Sequence, residues 1–340
     1  MKALRVIAPH QIEIKEVPDL VADIGQLLVD VERVGICGTD VELYAGEMAY
    51  YRSSRTTYPV QLGHEWVGTV VSVGSGVSSG WIGKRVTGDT MLGCGKCERC
   101  LTGKTYLCDS RIEIGITDGW GGALASQILI PEKFAFEVPD SISIAAAAMI
   151  EPAGNSLRSV EATGLVENQK LLILGAGTIG LLAAQFALAK KLEVHIAGNR
   201  ATARELAKEL GVHHIYSIDE VKSNSKRQFD AVIDASNDDS MPNLAIDRVY
   251  PGGRVVLIGL SETPSLIDTR VPVLQDLTIV GILSASPGLQ GAINYFASGA
   301  VNPELLISEV ISLEDVADRL EGNRGENAKP GPKIHVDPRL

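Results

Sequence analysis

The chain has 340 residues, which is enough for about two domains, each with its own core. Apolar residues make up 45% and charged residues 21%, a balance typical of a soluble globular protein and not of a disordered chain. The formal net charge is -11 and no basic stripe offsets it, which argues against nucleic acid as the main partner.

Two segments bear on membrane contact and targeting. Residues 1–14 alternate like a β-strand and lack the basic-then-apolar layout of a signal peptide. Residues 171–189 carry no charge and are long enough for a bilayer, but glycines at 175, 177 and 180 break the run. We interpret it as a strand, a turn and a helix. The sequence therefore predicts no membrane contact and a cytoplasmic location.

The first 147 or so residues are rich in valine, glycine and turn residues. Short strand-like runs recur there, for example at residues 27–34, 66–73 and 125–130. This texture predicts a mostly β domain. Two short segments stand out within it: Cys37 with Thr39 two residues later, and the run Gly63-His64-Glu65 ahead of a strand.

Four cysteines lie within fifteen residues, in a C-x2-C-x2-C-x7-C arrangement at Cys94, Cys97, Cys100 and Cys108. Thiolates brought together over so short a segment can close a tetrahedral sulfur shell around one zinc ion. Two disulfides are the alternative, but the total of five cysteines is odd and nothing indicates an oxidising compartment. The spacing therefore predicts a structural zinc lobe over about residues 93–109, with Cys37 left for another task.

From about residue 141 the pattern changes to alternating strands and helices. Strands are predicted at 171–174, 193–197, 231–235, 254–258 and 277–282, with helices at 179–189 and 201–210. Strands separated by helices of this length predict a parallel, doubly wound sheet. After Pro287 we expect helices, loops and a last strand near residues 333–336, in a tail that rejoins the first domain.

The run Gly175-Ala176-Gly177-Thr178-Ile179-Gly180 is a G-x-G-x-x-G between an apolar strand and a helix. In that context the first glycine permits a tight turn, the second lets a pyrophosphate approach the backbone, and the third allows close packing of helix on sheet. The helix N-terminus then offers N–H groups to the phosphates. The pattern predicts a dinucleotide site, against the alternative of a glycine-rich turn without a ligand.

The end of the next strand bears on which dinucleotide is bound. An acidic residue at this point usually holds the ribose 2′-hydroxyl of NAD, but this chain has Gly198-Asn199-Arg200 there. Glycine removes a charge that would repel a 2′-phosphate, and Arg200 supplies donors suited to phosphate. The sequence favours NADP over NAD, unless Arg200 is only a solvated residue at a helix start.

Together these features resemble the zinc-containing medium-chain dehydrogenase/reductase superfamily. Its signature G-H-E-x-x-G-x5-G-x-x-V is met by Gly63, His64, Glu65, Gly68, Gly74 and Val77, and the cysteine lobe and glycine motif follow in the right order. The resemblance implies a chaperonin-10-like catalytic domain over residues 1–147 and 288–340. It also implies a Rossmann domain over residues 148–287, with about two zinc ions per chain.

The resemblance also implies a catalytic zinc. Cys37 and His64 would be ligands, and Glu151 stands where many alcohol dehydrogenases have a third, cysteine ligand. In polyol, glucose and threonine dehydrogenases the acid matching Glu65 can bind the zinc, with the equivalent of Glu151 acting through water. Both geometries remain open. Thr39 matches the residue that takes the alcohol proton, whereas Glu42 replaces the family's usual relay histidine, which leaves the rest of the proton path open.

The resulting prediction is a zinc-dependent, NADP-preferring dehydrogenase that oxidises a secondary hydroxyl of a polyol, sugar or cyclitol. An amino-alcohol dehydrogenase of the threonine type, or a simple secondary alcohol dehydrogenase, is the nearest enzymatic alternative. A zinc-binding interaction module is the alternative from another class, and a zinc-free quinone reductase a further one. We expect a homo-oligomer, a tetramer or else a dimer.

Overall fold

The computed structural model describes all residues from 1 to 340, and the chain divides into two compact units. The first unit comprises residues 1–151, 307–329 and 333–340, and the second comprises residues 152–306 and 330–332. In sequence, the second unit is thus an insertion into the first.

The elements follow in chain order. Up to residue 149 the strands are β1 (Lys2–Ala8), β2 (Gln11–Glu16), β3 (Gln26–Gly35), β4 (Glu65–Val73), β5 (Arg85–Gly88), β6 (Met91–Leu92), β7 (Ile112–Glu113), β8 (Gln127–Pro131) and β9 (Ala135–Glu137). The α-helices of this part are α1 (Gly38–Ala45), α2 (Ala49–Arg52), α3 (Glu98–Leu101) and α4 (Ile144–Ala147).

The middle of the chain alternates helices with strands. Its helices are α5 (Ile150–Ala162), α6 (Thr178–Ala189), α7 (Ala201–Glu209), α8 (Ile218–Ser223), α9 (Met241–Arg248), α10 (Arg270–Leu274) and α11 (Leu289–Ala297). Its strands are β10 (Lys170–Leu174), β11 (Glu193–Ala197), β12 (His214–Tyr216), β13 (Phe229–Asp234), β14 (Val249–Leu257) and β15 (Thr278–Gly281). The last elements are β16 (Ile307–Ile311), α12 (Val316–Leu320) and β17 (Lys333–Val336).

The sheet of the first unit is organised around its longest strand, β3. This strand pairs antiparallel with β4 along one side, while its other side pairs with β8 at the beginning and with β17 at the end. Gly35 of β3 lies opposite both Glu65 and His335. The register therefore brings the start of β4 and the last strand of the chain to the same end of β3, where Cys37 follows.

The second unit contains a six-stranded parallel sheet in the order β12-β11-β10-β13-β14-β15. This is the order of a doubly wound dinucleotide-binding fold, whose ligand site lies where the order reverses. Here the reversal falls between β10 and β13, next to the glycine motif. The predicted fold class, a mostly β domain joined to a doubly wound parallel sheet, is confirmed.

Three features of the fold differ from the prediction. Strand β12 was not predicted, because its three residues are too few to show a period. Strand β16 was also missed. The chain returns to the first unit only at Ile307 and not near Pro287. Helix α11 stays with the second unit, where Tyr295 packs edge-on against Phe186 of α6.

The uncharged run 171–189 forms β10, the glycine turn and α6. None of the helices combines the length and apolar character needed to cross a bilayer.

Candidate metal and nucleotide sites

Cys37, His64 and Glu65 come together at the end of β3. Cys37 directly precedes α1, His64 directly precedes β4, and Glu65 is the first residue of β4. One ligand atom from each of the three lies within 4.8 Å of the others. A thiolate, an imidazole and a carboxylate at this spacing are a donor set that zinc accepts.

Asp40 orients this group, and the sequence analysis did not identify it. Its buried carboxylate accepts hydrogen bonds from the backbone N–H of Cys37 at 2.9 Å and of Gly63 at 3.3 Å. Its Oδ1 lies 3.6 Å from Nδ1 of His64, a buried nitrogen with no hydrogen-bond partner. A carboxylate behind a histidine ring is the usual second contact of a metal-binding histidine, and it leaves Nε2 for a metal.

Lys333 contacts the same group from the last strand and was likewise missed. Its Nζ donates to both carboxylate oxygens of Glu65, at 2.6 and 2.9 Å, and to the carbonyl of Ile36 at 2.9 Å. Both side chains are almost fully buried. A Cβ on Gly35 would lie 2.2 Å from Oε2 of Glu65, so a larger residue at position 35 would clash with the carboxylate.

The surroundings of the three residues favour positive charge. Burial acts to lower the pKa of His64, but the Asp40 carboxylate and Cys37 outweigh it, and the pKa of His64 is raised well above its usual value. Burial likewise acts to lower the pKa of Lys333, yet Glu65 and Cys37 raise it overall. Both shifts have the direction expected of a negative potential, so the donors and the electrostatics fit a bound cation.

The other predicted catalytic residues lie outside this group of three. Glu151 is buried in the first turn of α5, and it is not among the residues whose ligand atoms lie within 4.8 Å. Thr39 and Glu42 are both partly buried on α1, three positions apart. Residues at that spacing share one face of a helix.

The four cysteines of the lobe converge around α3. Their sulfur atoms all lie within 4.8 Å, with Cys94 and Cys100 at 4.0 Å and Cys97 and Cys108 at 3.8 Å. Zinc–sulfur bonds of about 2.3 Å in a tetrahedron place sulfurs about 3.8 Å apart. Backbone N–H groups of Lys96 and Cys97 lower the pKa of Cys94 to about 6. No cysteine is in a disulfide, and the arrangement fits zinc.

The glycine motif has the geometry of a phosphate cradle. Gly175 has a φ of 108°, which favours glycine, and a Cβ on Gly180 would lie 1.8 Å from the carbonyl oxygen of Gly175. A Cβ on Gly177 would meet nothing within 4 Å. No side chain caps the N-terminus of α6, which begins with Thr178 and Ile179, so its first N–H groups are available to a phosphate.

The loop after β11 carries the residues predicted to select the dinucleotide. A Cβ on Gly198 would lie 2.6 Å from Cβ of Ala176, so this position is close-packed against the glycine motif. Arg204 donates from Nη1 to the carbonyls of Gly198 and Asn199, both at 2.8 Å. Arg200 is exposed at the start of α7, and its side chain forms no hydrogen bond with the helix.

Comparison with known proteins identifies the family. Residues 23–140 match the alcohol dehydrogenase GroES-like domain, and residues 178–298 match the zinc-binding dehydrogenase domain. An L-threonine 3-dehydrogenase from Vibrio parahaemolyticus is 33% identical over 83% of each chain. The sorbitol dehydrogenase of Bacillus subtilis is 31% identical over 92% of this chain and 89% of that relative. The chain belongs to the zinc-dependent medium-chain dehydrogenase/reductase superfamily.

Solved structures agree with this assignment. A zinc-binding dehydrogenase from Sinorhizobium meliloti bound to NADP superposes with a TM-score of 0.90 at 31% identity, over 99% of both chains. An alcohol dehydrogenase from E. coli CFT073 complexed with NADH superposes with a TM-score of 0.89 at 27% identity, again over 99% of both chains. The predicted family and the prediction of a zinc-type, NAD(P)-dependent oxidoreductase are therefore confirmed, which sets aside the interaction-module alternative.

The two residues that sequence analysis missed in this dehydrogenase left weak signals. Asp40 stands three residues after Cys37, a position from which a side chain can reach back to the residue before a helix. Lys333 begins a short strand in which two basic residues, Lys333 and His335, alternate with two apolar ones. Neither signal identifies the distant partner, because the contacts of Asp40 with His64 and of Lys333 with Glu65 join separate segments of the chain.

Proposed function

We propose that the protein is a zinc-dependent, NADP-preferring dehydrogenase that oxidises a secondary hydroxyl of a polyol, sugar or cyclitol to the ketone. The observation that carries this proposal is the cluster of Cys37, His64 and Glu65, in which a carboxylate accompanies one sulfur and one nitrogen. Oxygen ligands make a metal site harder, which suits hydroxyl-rich substrates. The relative named sorbitol dehydrogenase supports the same substrate class.

Glu65 is proposed as the third direct ligand, with Glu151 acting through water. In support, Glu65 is the carboxylate that lies within 4.8 Å of the other two donors. Its hydrogen bonds to Lys333 do not use all of its lone pairs, since a carboxylate has about four acceptor positions. Lys333 thereby fixes the carboxylate while leaving it able to bind a cation.

The catalytic roles of the other residues follow from their positions. Zinc at this site would lower the pKa of the substrate hydroxyl, and bound NADP would accept the hydride. The Thr39 hydroxyl takes the substrate proton as it releases its own, and Glu42, one helical turn further along α1, or water beside it, passes that proton towards solvent. Asp40, whose Oδ1 lies 3.6 Å from Nδ1 of His64, faces that side of the ring and would leave Nε2 as the nitrogen that binds the metal.

The proposed preference for NADP rests on the loop after β11. Glycine at position 198 means that no carboxylate repels a 2′-phosphate there. Arg200, two residues further along, offers an exposed guanidinium. Arg204 ties down two carbonyls of the loop and so fixes its shape. One solved relative holds NADP and another NADH, so the family alone does not decide the cofactor.

The substrate class is tested by a panel of polyols, sugars, cyclitols, L-threonine and simple secondary alcohols, assayed with NADP and with NAD. Reduced cofactor is followed by absorbance. We expect the highest kcat/KM for a polyol, sugar or cyclitol with NADP. A clear preference for L-threonine would instead place the enzyme with the relative named L-threonine 3-dehydrogenase, and our substrate proposal would be wrong.

We further propose that the protein is a homo-oligomer, a tetramer with a dimer as the alternative, and that it acts in the cytoplasm. Strand β15 is an edge strand, and exposed apolar side chains cluster in sequence around it, namely Leu260, Leu266, Val273, Leu274, Ile279 and Leu283. An exposed edge with apolar neighbours is suited to pairing with a second copy. Light scattering after size exclusion measures the subunit number, and a monomer would contradict the proposal.

A further inference from the structure

Two histidines and a glutamate cluster at one edge of the parallel sheet, away from the glycine motif. His195 on β11 and His214 on β12 occupy paired positions on adjacent strands. Glu193 precedes His195 by two residues and so lies on the same face of β11. One ligand atom from each of the three lies within 4.8 Å of the others.

The contacts direct both rings towards a single carboxylate oxygen. Oε1 of Glu193 lies 2.9 Å from Nε2 of His195 and 3.9 Å from Nε2 of His214. The two rings stack with centroids 4.2 Å apart and planes 13° from parallel, so the half-exposed ring of His214 must turn out of the stack for both Nε2 lone pairs to meet at one ion. Two imidazoles with one carboxylate form a ligand set that holds zinc and leaves a fourth position for water.

The ring of His195 is fixed from behind. Its Nδ1 lies 3.1 Å from the hydroxyl of Tyr216, and Phe229 contacts the ring edge-on at 4.9 Å. Without an ion, Nε2–H donates to the Glu193 carboxylate and Nδ1 accepts from the Tyr216 hydroxyl. When an ion binds, the ring proton moves to Nδ1, which then donates to the Tyr216 oxygen and leaves the lone pair of Nε2 for the metal. His195 is buried, whereas about half of the His214 side chain is exposed, so an ion can enter from solvent.

One cation competes for the same oxygen. Nζ of Lys170 lies 3.4 Å from Oε1 of Glu193, and its side chain is 45% exposed on a flexible stem. Lys170 can therefore turn into solvent when a dication takes its place. Removing Lys170 should therefore strengthen metal binding. If Lys170 and Glu193 formed only a structural ion pair, removing Lys170 would weaken the site instead.

We propose that Glu193, His195 and His214 bind one divalent transition-metal ion, Zn²⁺, in addition to the zinc ions expected in the first unit. The ion joins the short edge strand β12 to β11. Because it binds only the folded sheet, it raises the thermal stability of the protein by an amount that grows with the free Zn²⁺ concentration. The site lies at the amino ends of the strands and takes no part in the oxidation.

The test uses the full-length, zinc-loaded protein after removal of loosely bound metal. Titration with Zn²⁺ by calorimetry, and with Co²⁺ by visible absorption, should show one further equivalent in the wild type. His214→Ala should lose that equivalent. His213→Ala, which removes the adjacent exposed histidine, is the matched control and should retain it. Tyr216→Phe should weaken binding by about tenfold, since it removes the group behind His195.

Lys170→Gln provides a second, independent result, because it should tighten Zn²⁺ binding several-fold. Circular dichroism and nucleotide binding show whether each variant is folded. The proposal is overturned if the wild type binds no further equivalent, or if His214→Ala binds as tightly as His213→Ala. Should His214→Ala fail to fold, unchanged affinity in Lys170→Gln overturns the proposal and tighter binding supports it.

Discussion

Cys37 is the residue on which the proposed chemistry depends most directly. Replacing it with serine removes the thiolate from the cluster with His64 and Glu65. We expect Cys37→Ser to abolish alcohol oxidation while circular dichroism and nucleotide binding stay unchanged, because the nucleotide motif lies in the other unit. Metal content should fall by one zinc per chain. Activity retained by this variant would remove Cys37 from the catalytic set.

Lys333 and Glu65 form a buried ion pair, and losing one partner leaves the other charge without compensation. Lys333→Met should lower the free energy of unfolding of the metal-free protein by about 3–5 kcal/mol. The double variant Lys333→Met, Glu65→Gln should recover most of that loss, because it removes both charges. Chemical denaturation of the three proteins measures the difference. Equal stability of the two variants would mean that the charge of Glu65 does not matter once Lys333 is absent.

His335 predicts a pH dependence of stability. Both ring nitrogens are buried without hydrogen-bond partners. Burial, together with Lys333 and Arg33, holds the pKa of His335 well below its usual value. Below about pH 6.5, His335 is protonated in the unfolded chain but stays neutral in the folded chain. The free energy of unfolding therefore decreases as the pH falls below that value.

We expect His335→Met to show a shallower loss of stability between pH 6.5 and pH 5 than the wild type, by thermal unfolding of the zinc-loaded protein. His10→Met, at a histidine whose side chain is 57% exposed, is compared over the same pH range as the control for the substitution itself. Parallel curves for the wild type and His335→Met would contradict the assignment.

At the scale of elements, the loop between β11 and α7 is proposed to select the cofactor. Arg200→Ala should lower kcat/KM for NADP by about tenfold to a hundredfold, since hydrogen bonds to charged groups contribute about 1.5–3 kcal/mol. The value for NAD should not change. Lys208→Ala, on the last turn of the same helix, is the control. A parallel loss with both cofactors would mean that Arg200 supports the loop without reading the phosphate.

A substitution at position 198 provides a second test of cofactor preference, because it restores the acidic residue found in NAD sites. Gly198→Asp should shift preference towards NAD, as the sequence predicts. A Cβ at this position would lie 2.6 Å from Cβ of Ala176, closer than real Cβ atoms approach, so the loop or the glycine motif must move to accept it. An unchanged ratio of the two cofactors' efficiencies would contradict our interpretation of the loop.

How much could be predicted from the sequence depended on how local each feature is. Strand β10 and helix α6, which follows it, are predicted from an apolar run and a glycine motif within a short window, and both were predicted within one residue. The four-cysteine lobe is equally local. Strand β12 has only three residues, so periodicity carries no information about it.

The candidate metal site was predictable only in part for the same reason. Cys37, His64 and Glu65 each stand in a recognisable short motif. Lys333 reaches Glu65 across 268 positions, and the pairing of both β17 and β4 with β3 brings them together. A contact of that kind depends on strand register, which the sequence alone does not specify.

For the whole molecule, the decisive quantity is the number of tightly held zinc ions. Elemental analysis after extensive dialysis should give two per chain, one in the cysteine lobe and one at Cys37 and His64. Removal of both by a chelator should abolish activity and lower the melting temperature, because binding free energy at a structural site is also folding free energy. A single equivalent confined to the four cysteines would refute the proposed enzyme mechanism.

Strand β17 has a consequence for how the protein is made. The side chain that neutralises Glu65 is carried by this strand, which comes after the whole nucleotide-binding unit in the order of synthesis. A nascent chain on the ribosome thus exposes Cys37, His64 and Glu65 long before Lys333 has been translated. Metal loading in the correct geometry can finish only once translation has passed the final strand.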